Sequence, residues 1–403
     1  MSFQQGLSGL SAATRNLDVI GNNVANANTV GAKISRAEFS DVYANSLAFG
    51  GNVQTGIGVN VASIAQQFTQ GQLTTTNNPL DVAVNGNGFF RMSADGVLEY
   101  TRNGQFRQDK DGYIVNSAGA RLTGYPADSN GNITTGAPLE LRLSTSDIAP
   151  RVTSEITSEL NLDSRAANVT AAFDVTDSTT YTSATSVNVY DSLGNPHPLT
   201  LYFQKSAANT WDVYGAENGV QVTGGSLGTL TFGSDGKIAS GGVVSFSLPV
   251  TTGAGTPIPI NLDLGAATQF GASFGVTSLT QDGYGPGRLA GLSIAPDGTI
   301  LGRYSNGQSR AQGQIALANF SDPQGLRPLG GNAWAESSTS GQPLLGAPGS
   351  GTFGVVQSGA VEESNVDLTS ELVNMITAQR VYQANAQTIK TQDQVLQTLL
   401  NLK

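Results

Sequence analysis

The sequence predicts an α+β protein, predominantly β, in which paired terminal α-helices, coiled-coil-like, enclose nested, discontinuous β domains. Three observations predict this class. Apolar residues recur at steps of three and four at both chain ends, as in helices that pack along a stripe. The middle changes to short strands between turns, with 50 glycines and 15 prolines in 403 residues. This length exceeds what one hydrophobic core usually supports, so several domains are expected.

The N-terminal stripe is built from large apolar residues, with Thr14 and Gly21 as weaker members between them. Its residues are Phe3, Leu7, Leu10, Leu17, Ile20 and Val24. We predict that this helix pairs with the C-terminal helix and that both then contact neighbouring copies. The stripe residues are therefore candidates for subunit assembly.

The C-terminal stripe is longer and continues through the polar Gln379 and Asp393. Its residues are Leu368, Leu372, Met375, Tyr382, Ala386, Ile389, Leu396 and Leu400. Asp367 stands just before the stripe, where an aspartate is a favourable helix cap, and residues 365–403 contain neither glycine nor proline. These features predict one long helix, whose apolar side chains are again candidate assembly residues.

The middle of the chain predicts two β domains, one inserted into the other. Turn pairs at Asp95-Gly96, Asn103-Gly104, Asp111-Gly112 and Ala118-Gly119 separate short strands and indicate a meander of hairpins. Residues 144–284 carry their own strands between polar edges. The predicted domains are residues 1–70 with 358–403 (helical domain and linker), 71–144 with 285–357 (first β domain), and 145–284 (inserted outer β domain).

Composition excludes several classes of protein. The net charge of −10 and a charged fraction of only 12% argue against nucleic-acid binding. The absence of cysteine excludes disulfides, thiolate nucleophiles and cysteine-ligated zinc. No run approaches the ~18 apolar residues of a membrane span, so no membrane insertion is expected. The N-terminus lacks the pattern of a secretory signal, and export is expected to use another route.

We expect neither catalysis nor a cofactor. The sole histidine, His197, lies between two prolines and is interpreted as a structural residue of a turn. The acidic loops that begin at Asp109 and Asp128 lack the glycine and the final acidic residue of a calcium loop, so they are predicted to be turns. The glycine-rich segment 283–291 lacks the lysine of a phosphate loop and is interpreted as a hinge. A hydrolase using an unidentified pair of acids, and a surface adhesin, remain alternatives.

Several segments resemble one family, the rod and hook axial proteins of the bacterial flagellum. They are residues 16–31, 78–90, 100–106, 364–375, 379–380 and 388–393. The family-motif residues are Asn22, Asn23, Asn26, Thr29, Gly31, Asn365, Asp367, Gln379 and Arg380. The family commonly has phenylalanine where this chain has Ala32, which affects a local contact after the first helix.

The resemblance implies a structural subunit that polymerises with itself into a curved tube outside the cell. Such a tube acts as a universal joint, transmits motor torque from rod to filament and conducts exported subunits. The implied partners are the distal rod protein, the hook cap protein, the hook-filament junction proteins and the flagellar type III export apparatus. The large insertion at residues 145–284 favours a hook subunit over a distal rod subunit.

Overall fold

A computed structural model describes residues 2–43 and 56–401 of the chain. It has a helix at each end, α1 (Ser2–Ala25) and α2 (Leu368–Asn401), and β strands between them. The predicted α+β class with terminal helices is therefore confirmed. α2 begins immediately after Asp367, whose carboxylate accepts hydrogen bonds from the backbone N–H of Thr369 at 2.9 Å and the hydroxyl of Ser370 at 2.8 Å. This cap satisfies donors that the first helical turn leaves free.

The strands in the described part of the chain have the following bounds: β1 (Ser35–Tyr43), β2 (Gly56–Gln66), β3 (Leu73–Thr75), β4 (Val82–Asn85), β5 (Phe89–Ala94), β6 (Val97–Thr101), β7 (Arg107–Gln108), β8 (Ile114–Val115), β9 (Arg121–Pro126), β10 (Leu139–Glu140), β11 (Glu155–Asp163), β12 (Ser183–Tyr190), β13 (Pro196–Ala207), β14 (Thr210–Glu217), β15 (Val220–Gln221), β16 (Gly228–Phe232), β17 (Ile238–Ser240), β18 (Val243–Leu248), β19 (Ile258–Asp263), β20 (Thr268–Phe270), β21 (Gly275–Gln281), β22 (Leu289–Ile294), β23 (Thr299–Tyr304), β24 (Ser309–Ile315), β25 (Leu317–Asn319), β26 (Arg327–Gly330), β27 (Ala333–Ala335), β28 (Leu344–Gly346), β29 (Val355–Ser358) and β30 (Ala360–Glu362). Short 3₁₀ helices cover Ser178–Thr180 and Pro323–Gly325.

The chain divides into two compact units. The first unit contains Met1–Thr145, Gly291–Arg303 and Ser309–Lys403, and the second contains Ser146–Ala290 and Tyr304–Gln308. The three predicted domains and their borders, including the separation of the helical ends from the first β domain, stay predictions.

The first unit is organised around a sheet whose main strand order is β22-β23-β24-β9-β5-β6-β27-β26. Phe90 and Met92 of β5 and Tyr100 of β6 are fully buried in it. The predicted turn at Asp95-Gly96 joins β5 to β6, and both of its residues have positive φ, as a tight hairpin requires.

Short strand pairs carry the chain between this sheet and the helices. β1 and β2 form a long antiparallel hairpin directly after α1. β3 pairs with β30, and β4 pairs with β29. These pairs bring the segment that follows the hairpin next to the segment that precedes α2, although nearly three hundred residues separate them in sequence.

The second unit packs two sheets around one core. One sheet has the order β12-β13-β14-β16-β17, and the other has β18-β19-β11-β20. Residues of β11 alternate between buried and exposed, as expected for a strand with one face on a core. Trp211, Phe203 and Ile156 are fully buried there.

His197 lies in strand β13 opposite Val189 and not in a turn, so that interpretation was wrong. The turn is completed earlier, because Asp191 accepts the N–H of Leu193 and of Asn195 and Gly194 adopts φ +85°. Strand β13 then starts at Pro196, and the imidazole of His197 is buried.

In each of the two acidic loops, the first aspartate side chain accepts hydrogen bonds from backbone N–H groups of the same loop. Asp109 accepts the N–H groups of Asp111 and Tyr113. Asp128 accepts those of Asn130 and Asn132. Across residues 2–43 and 56–401, no group of three or more histidine, cysteine, aspartate or glutamate side chains is placed to hold a metal ion.

Candidate assembly site

The two terminal helices pack against each other through small residues of α1. A Cβ atom added to Gly6 would lie 3.0 Å from Cγ1 of Ile389, and one added to Gly9 would lie 2.7 Å from Oδ1 of Asn385. Ala13 continues this face and is buried. Because the helices approach this closely, a larger side chain at either α1 position would require Ile389 or Asn385 to move.

The predicted N-terminal stripe lies largely beside this contact. Phe3 and Leu7 remain 46% and 53% exposed, whereas Ile20 is 5% exposed. Leu10, Leu17 and Val24 are half-buried. The small residues at positions 6, 9 and 13 also follow steps of three and four, and this signal could have identified the packed face from the sequence.

The predicted C-terminal stripe behaves in the same way. Leu372 and Leu396 are 49% and 54% exposed, and Leu368 and Tyr382 are also exposed. The half-buried members of this stripe are Met375, Ala386 and Ile389. The side chain of Leu400 lies outside the described residues. The role of either stripe in assembly stays a prediction.

Asn23 joins three elements. Its side-chain Nδ2 donates to the backbone oxygen of Ser35 at 2.8 Å and to Oε2 of Glu371 at 3.0 Å, and its Oδ1 accepts the N–H of Ser35 at 2.9 Å. Both Asn23 and Glu371 are buried. The amide therefore fixes α1 to the start of β1 and to the first turn of α2, in a place where an unpaired polar group would be costly.

Asn365, three residues before the start of α2, also joins separate segments through its side-chain amide. Its Oδ1 accepts the N–H of Ile34 at 2.8 Å, while Nδ2 donates to the backbone oxygen of Gln67 at 2.9 Å and to the hydroxyl of Thr69 at 2.8 Å. The two ends of the β1–β2 hairpin are thereby held to the segment that leads into α2.

The remaining motif residues at the N-terminal end close α1 and turn the chain. The side chain of Asn26 donates to the backbone oxygen of Asn22 at 2.9 Å, and the N–H of Thr29 donates to that of Asn26 at 3.0 Å. Gly31 has φ +74°, and a Cβ there would lie 2.6 Å from the backbone nitrogen of Asn103. Only glycine fits this position.

The last two motif residues and the position that departs from the family pattern differ in burial. Gln379 and Arg380 are exposed on α2. Ala32 is buried, so the site of the departure from the family pattern lies in a packed place.

A buried cluster of three charges lies where the helices meet the sheet. The Glu362 carboxylate accepts from Nζ of Lys33 at 2.6 Å and from Nη1 of Arg102 at 3.1 Å, and its side chain has no exposed surface. Gly71 donates its N–H to the same carboxylate at 2.9 Å. Arg102 also lies over the ring of Phe89. The cluster links the segments after α1, within the sheet and before α2.

Burial lowers the pKa of Lys33 and of Arg102, and the attraction of Glu362 opposes this effect in both. Two cations share one anion, so the cluster depends on Glu362. Sequence reasoning missed this cluster because its members lie far apart in the chain. The available signal was that Arg102 falls within the motif segment 100–106 and that Lys33 follows the motif segment 16–31 by two residues.

A groove of about 980 Å³ opens between α1, α2 and the β1–β2 hairpin. Its walls include Ala12, Asn16, Phe39, Val59 and Val381. The groove mixes apolar and amide side chains. Within the described residues, neither helix has enough apolar sequence to cross a membrane.

Four family models match the chain in order along its length. They are "Flagella basal body rod protein" over residues 3–33, "Flagellar hook protein FlgE/F/G D1 domain" over 83–170, "Flagellar basal body protein FlaE D2 domain" over 161–284 and "Flagellar basal body rod FlgEFG protein C-terminal" over 357–402. Both terminal models include the helices described above.

Curated relatives match the chain from end to end. Flagellar hook protein FlgE of Salmonella typhimurium is 44% identical over 411 residues, covering 100% of both chains. The Escherichia coli K12 protein of the same description is 42% identical over 412 residues with the same coverage. The Borreliella burgdorferi protein is 37% identical, covering 100% of this chain and 99% of the relative.

The fold also resembles a solved structure, the Helicobacter pylori flagellar hook protein FlgE2. The TM-score is 0.52 at 15% identity, over 70% of this chain and 99% of that one. At this identity the likeness concerns the fold alone. The full-length relatives show that this chain belongs to the flagellar hook protein FlgE family and is a structural subunit of the hook, outside the cell, not an enzyme.

Proposed function

We propose that the terminal helices of this hook subunit pack side by side with those of neighbouring copies to form the inner tube of a homopolymer. The observation that carries this proposal is the row of large apolar side chains left exposed on the helix pair, among them Leu7, Leu372, Ile376 and Leu396. Because each of these side chains is already about half buried, covering the rest of it is worth about 1 kcal/mol. In a polymer, neighbouring copies of the chain would cover these exposed apolar side chains.

The same proposal extends to the mechanics and the partners of the polymer. The tube is curved, serves as a universal joint that transmits torque from rod to filament, and conducts exported subunits through its lumen. The matches to rod-protein models at both chain ends support contact with the distal rod protein. Family membership supports contacts with the hook cap protein, the hook-filament junction proteins and the flagellar type III export apparatus.

The first test of this proposal removes apolar surface from the exposed stripe. A chain carrying Leu7→Ser, Leu372→Ser and Leu396→Ser is expected to stay monomeric under conditions in which the unmodified chain forms tubes. Electron microscopy and sedimentation measure assembly, and fluorescence of the buried Trp211 and Trp334 reports whether each unit is folded. Val220→Ser is the matched control, because Val220 is 71% exposed in the second unit. Tubes of normal length from the triple variant would contradict the proposal.

The second test concerns the inserted domain. Removal of residues 145–284 is expected to leave a chain that still assembles but forms straighter or mechanically altered tubes. The measurement is electron microscopy of the polymers, combined with Trp334 fluorescence as a control for folding of the first unit. Loss of the Trp334 signal would count against an independently folded first β domain.

A further inference from the structure

The only histidine of the chain sits between two carboxylates in the second unit. Nδ1 of His197 lies 2.5 Å from Oε1 of Glu217 on β14, and Nε2 lies 3.2 Å from Oδ2 of Asp191, which follows β12. The imidazole is 6% exposed, and the Asp191 side chain has no exposed surface. The residue opposite His197 on β12 is Val189, so Asp191 and Glu217 are the titratable groups that contact the ring in the described structure.

Asp191 can act towards His197 only as an acceptor. Its oxygens already accept hydrogen bonds from the N–H of Leu193 and Asn195, the amide of Asn195 and the hydroxyl of Thr252. A carboxylate held by this many donors keeps its negative charge. Nε2 of His197 must therefore carry a proton to face it.

The opposite side of the ring then requires a second proton. If the imidazole were protonated at Nε2 alone, the lone pair of Nδ1 would face a Glu217 oxygen at 2.5 Å. Two unprotonated acceptors at this distance repel each other. One additional proton must lie between His197 and Glu217. Imidazole is intrinsically more basic than carboxylate, so this proton belongs on Nδ1.

The charged ring is connected to a loop that packs near it. Thr252 lies in the connection between β18 and β19 and donates its hydroxyl to Asp191 at 2.6 Å. Gly255 of the same loop donates its N–H to the hydroxyl of Ser192 at 3.0 Å. The turn at residues 191–195 therefore joins the sheet that contains β12–β14 to the β18–β19 loop.

We propose that His197 is a proton-controlled latch of the second unit: as imidazolium it holds the 191–195 turn to β14, and its deprotonation at alkaline pH releases that turn and the β18–β19 loop. Burial alone lowers the pKa of His197, but the hydrogen bonds and charges of Glu217 and Asp191 outweigh it and raise the pKa. Because the pKa of His197 is higher in the folded unit than in the unfolded chain, its protonation stabilises the folded unit. This stabilisation is fully present at pH values below the pKa of the unfolded chain. This stabilisation is lost as pH rises through the folded pKa.

The first experiment titrates the full chain labelled with ¹⁵N-histidine. Because the chain has a single histidine, the two ring nitrogens give an unambiguous spectrum. Both nitrogens are expected to be protonated at neutral pH, with a midpoint above that of the same chain unfolded in urea. Glu217→Gln is expected to lower the midpoint, since it removes the charge and keeps the shape. A midpoint at or below that of the unfolded chain overturns the proposal.

The second experiment measures amide hydrogen exchange in residues 191–195 and 249–256. At each pH the rate in His197→Gln is divided by the rate in the unmodified chain, which cancels the intrinsic pH dependence of exchange. The ratio is expected to be several-fold above one at mildly acidic pH and to approach one at alkaline pH. Segments of the first unit provide the internal control. A ratio that does not change with pH contradicts a latch operated by the His197 proton.

Discussion

Glu362 accepts a hydrogen bond from Lys33 at 2.6 Å across 329 residues of sequence, and neither side chain is exposed to solvent. Arg102 contacts the other oxygen of the same carboxylate at 3.1 Å. The Glu362 carboxylate is thus the point at which three segments meet: the chain that leaves α1, the central sheet and the chain that enters α2. This junction links the segments next to both helices to the central sheet of the first unit.

Glu362→Gln is expected to destabilise the first unit strongly, because it leaves two buried cations without a counter-ion. Losing one partner of a buried ion pair costs about 3–5 kcal/mol. Urea unfolding gives the size of the loss, and hydrogen exchange in residues 31–36 and 357–363 locates it. Glu363→Gln is the control, since Glu363 is exposed and, among the described contacts, its side chain accepts a hydrogen bond only from the Thr74 hydroxyl. Equal losses in the two variants would rule out a special role for Glu362.

Enlarging Gly9 is expected to separate the terminal helices. A Cβ there would lie 2.7 Å from Oδ1 of Asn385, so the Asn385 side chain must move to admit a leucine. Gly9→Leu should lower both the helical signal in circular dichroism and the yield of tubes. Gly21→Leu is the control for the helical signal, because a Cβ at Gly21 meets nothing within 4 Å and the substitution favours the helix by a few tenths to about 1 kcal/mol. Wild-type assembly by Gly9→Leu would show that close helix contact is dispensable.

Asn23→Asp is expected to loosen the contact between α1, β1 and α2. The change replaces a donor by a carboxylate that faces Glu371 and the backbone oxygen of Ser35, at a cost of about 1–3 kcal/mol. Faster hydrogen exchange in residues 34–40 and 368–378 is the readout. The neighbouring Asn22 is exposed, and its Oδ1 only accepts a bond from Asn26, so Asn22→Asp should have little effect. Recovery of Asn23→Asp at acidic pH would support charge repulsion as the cause.

Asp282 is expected to make the second unit sensitive to acid. Burial raises its pKa, but bonds from the Ser154 hydroxyl and the N–H groups of Ser154 and Glu155, with the charge of Arg151, lower it overall. A lowered carboxyl pKa contributes stability above the ordinary value of 3.8, and this contribution is lost as pH falls through the folded pKa.

Asp282→Asn should therefore reduce the melting temperature near neutral pH, and its deficit should shrink between about pH 5 and about pH 2. Differential scanning calorimetry of the full chain measures both. Asp235→Asn, at an exposed turn, should give a curve parallel to that of the unmodified chain. A deficit that stays constant with pH would assign the effect of Asp282 to lost shape and not to its charge.

The helical ends and many turns could be predicted from sequence because their causes are local. Asp367 caps α2 through bonds to residues two and three positions away, and Asp95-Gly96 can take positive φ wherever it occurs. The same reasoning placed His197 in a turn, although strand β13 already begins at Pro196. Local signals locate an element well and its ends less well.

The sequence by itself determined the terminal helices, the β-rich middle and, through its motifs, the family. The tertiary structure decided which helix face packs inward, because Gly6, Gly9 and the apolar stripe have the same period and only the position of α2 distinguishes them. It also decided which charges pair. Lys33, Arg102 and Glu362 are ordinary charged residues in the sequence, and they become a junction only because folding removes all three from water in one place.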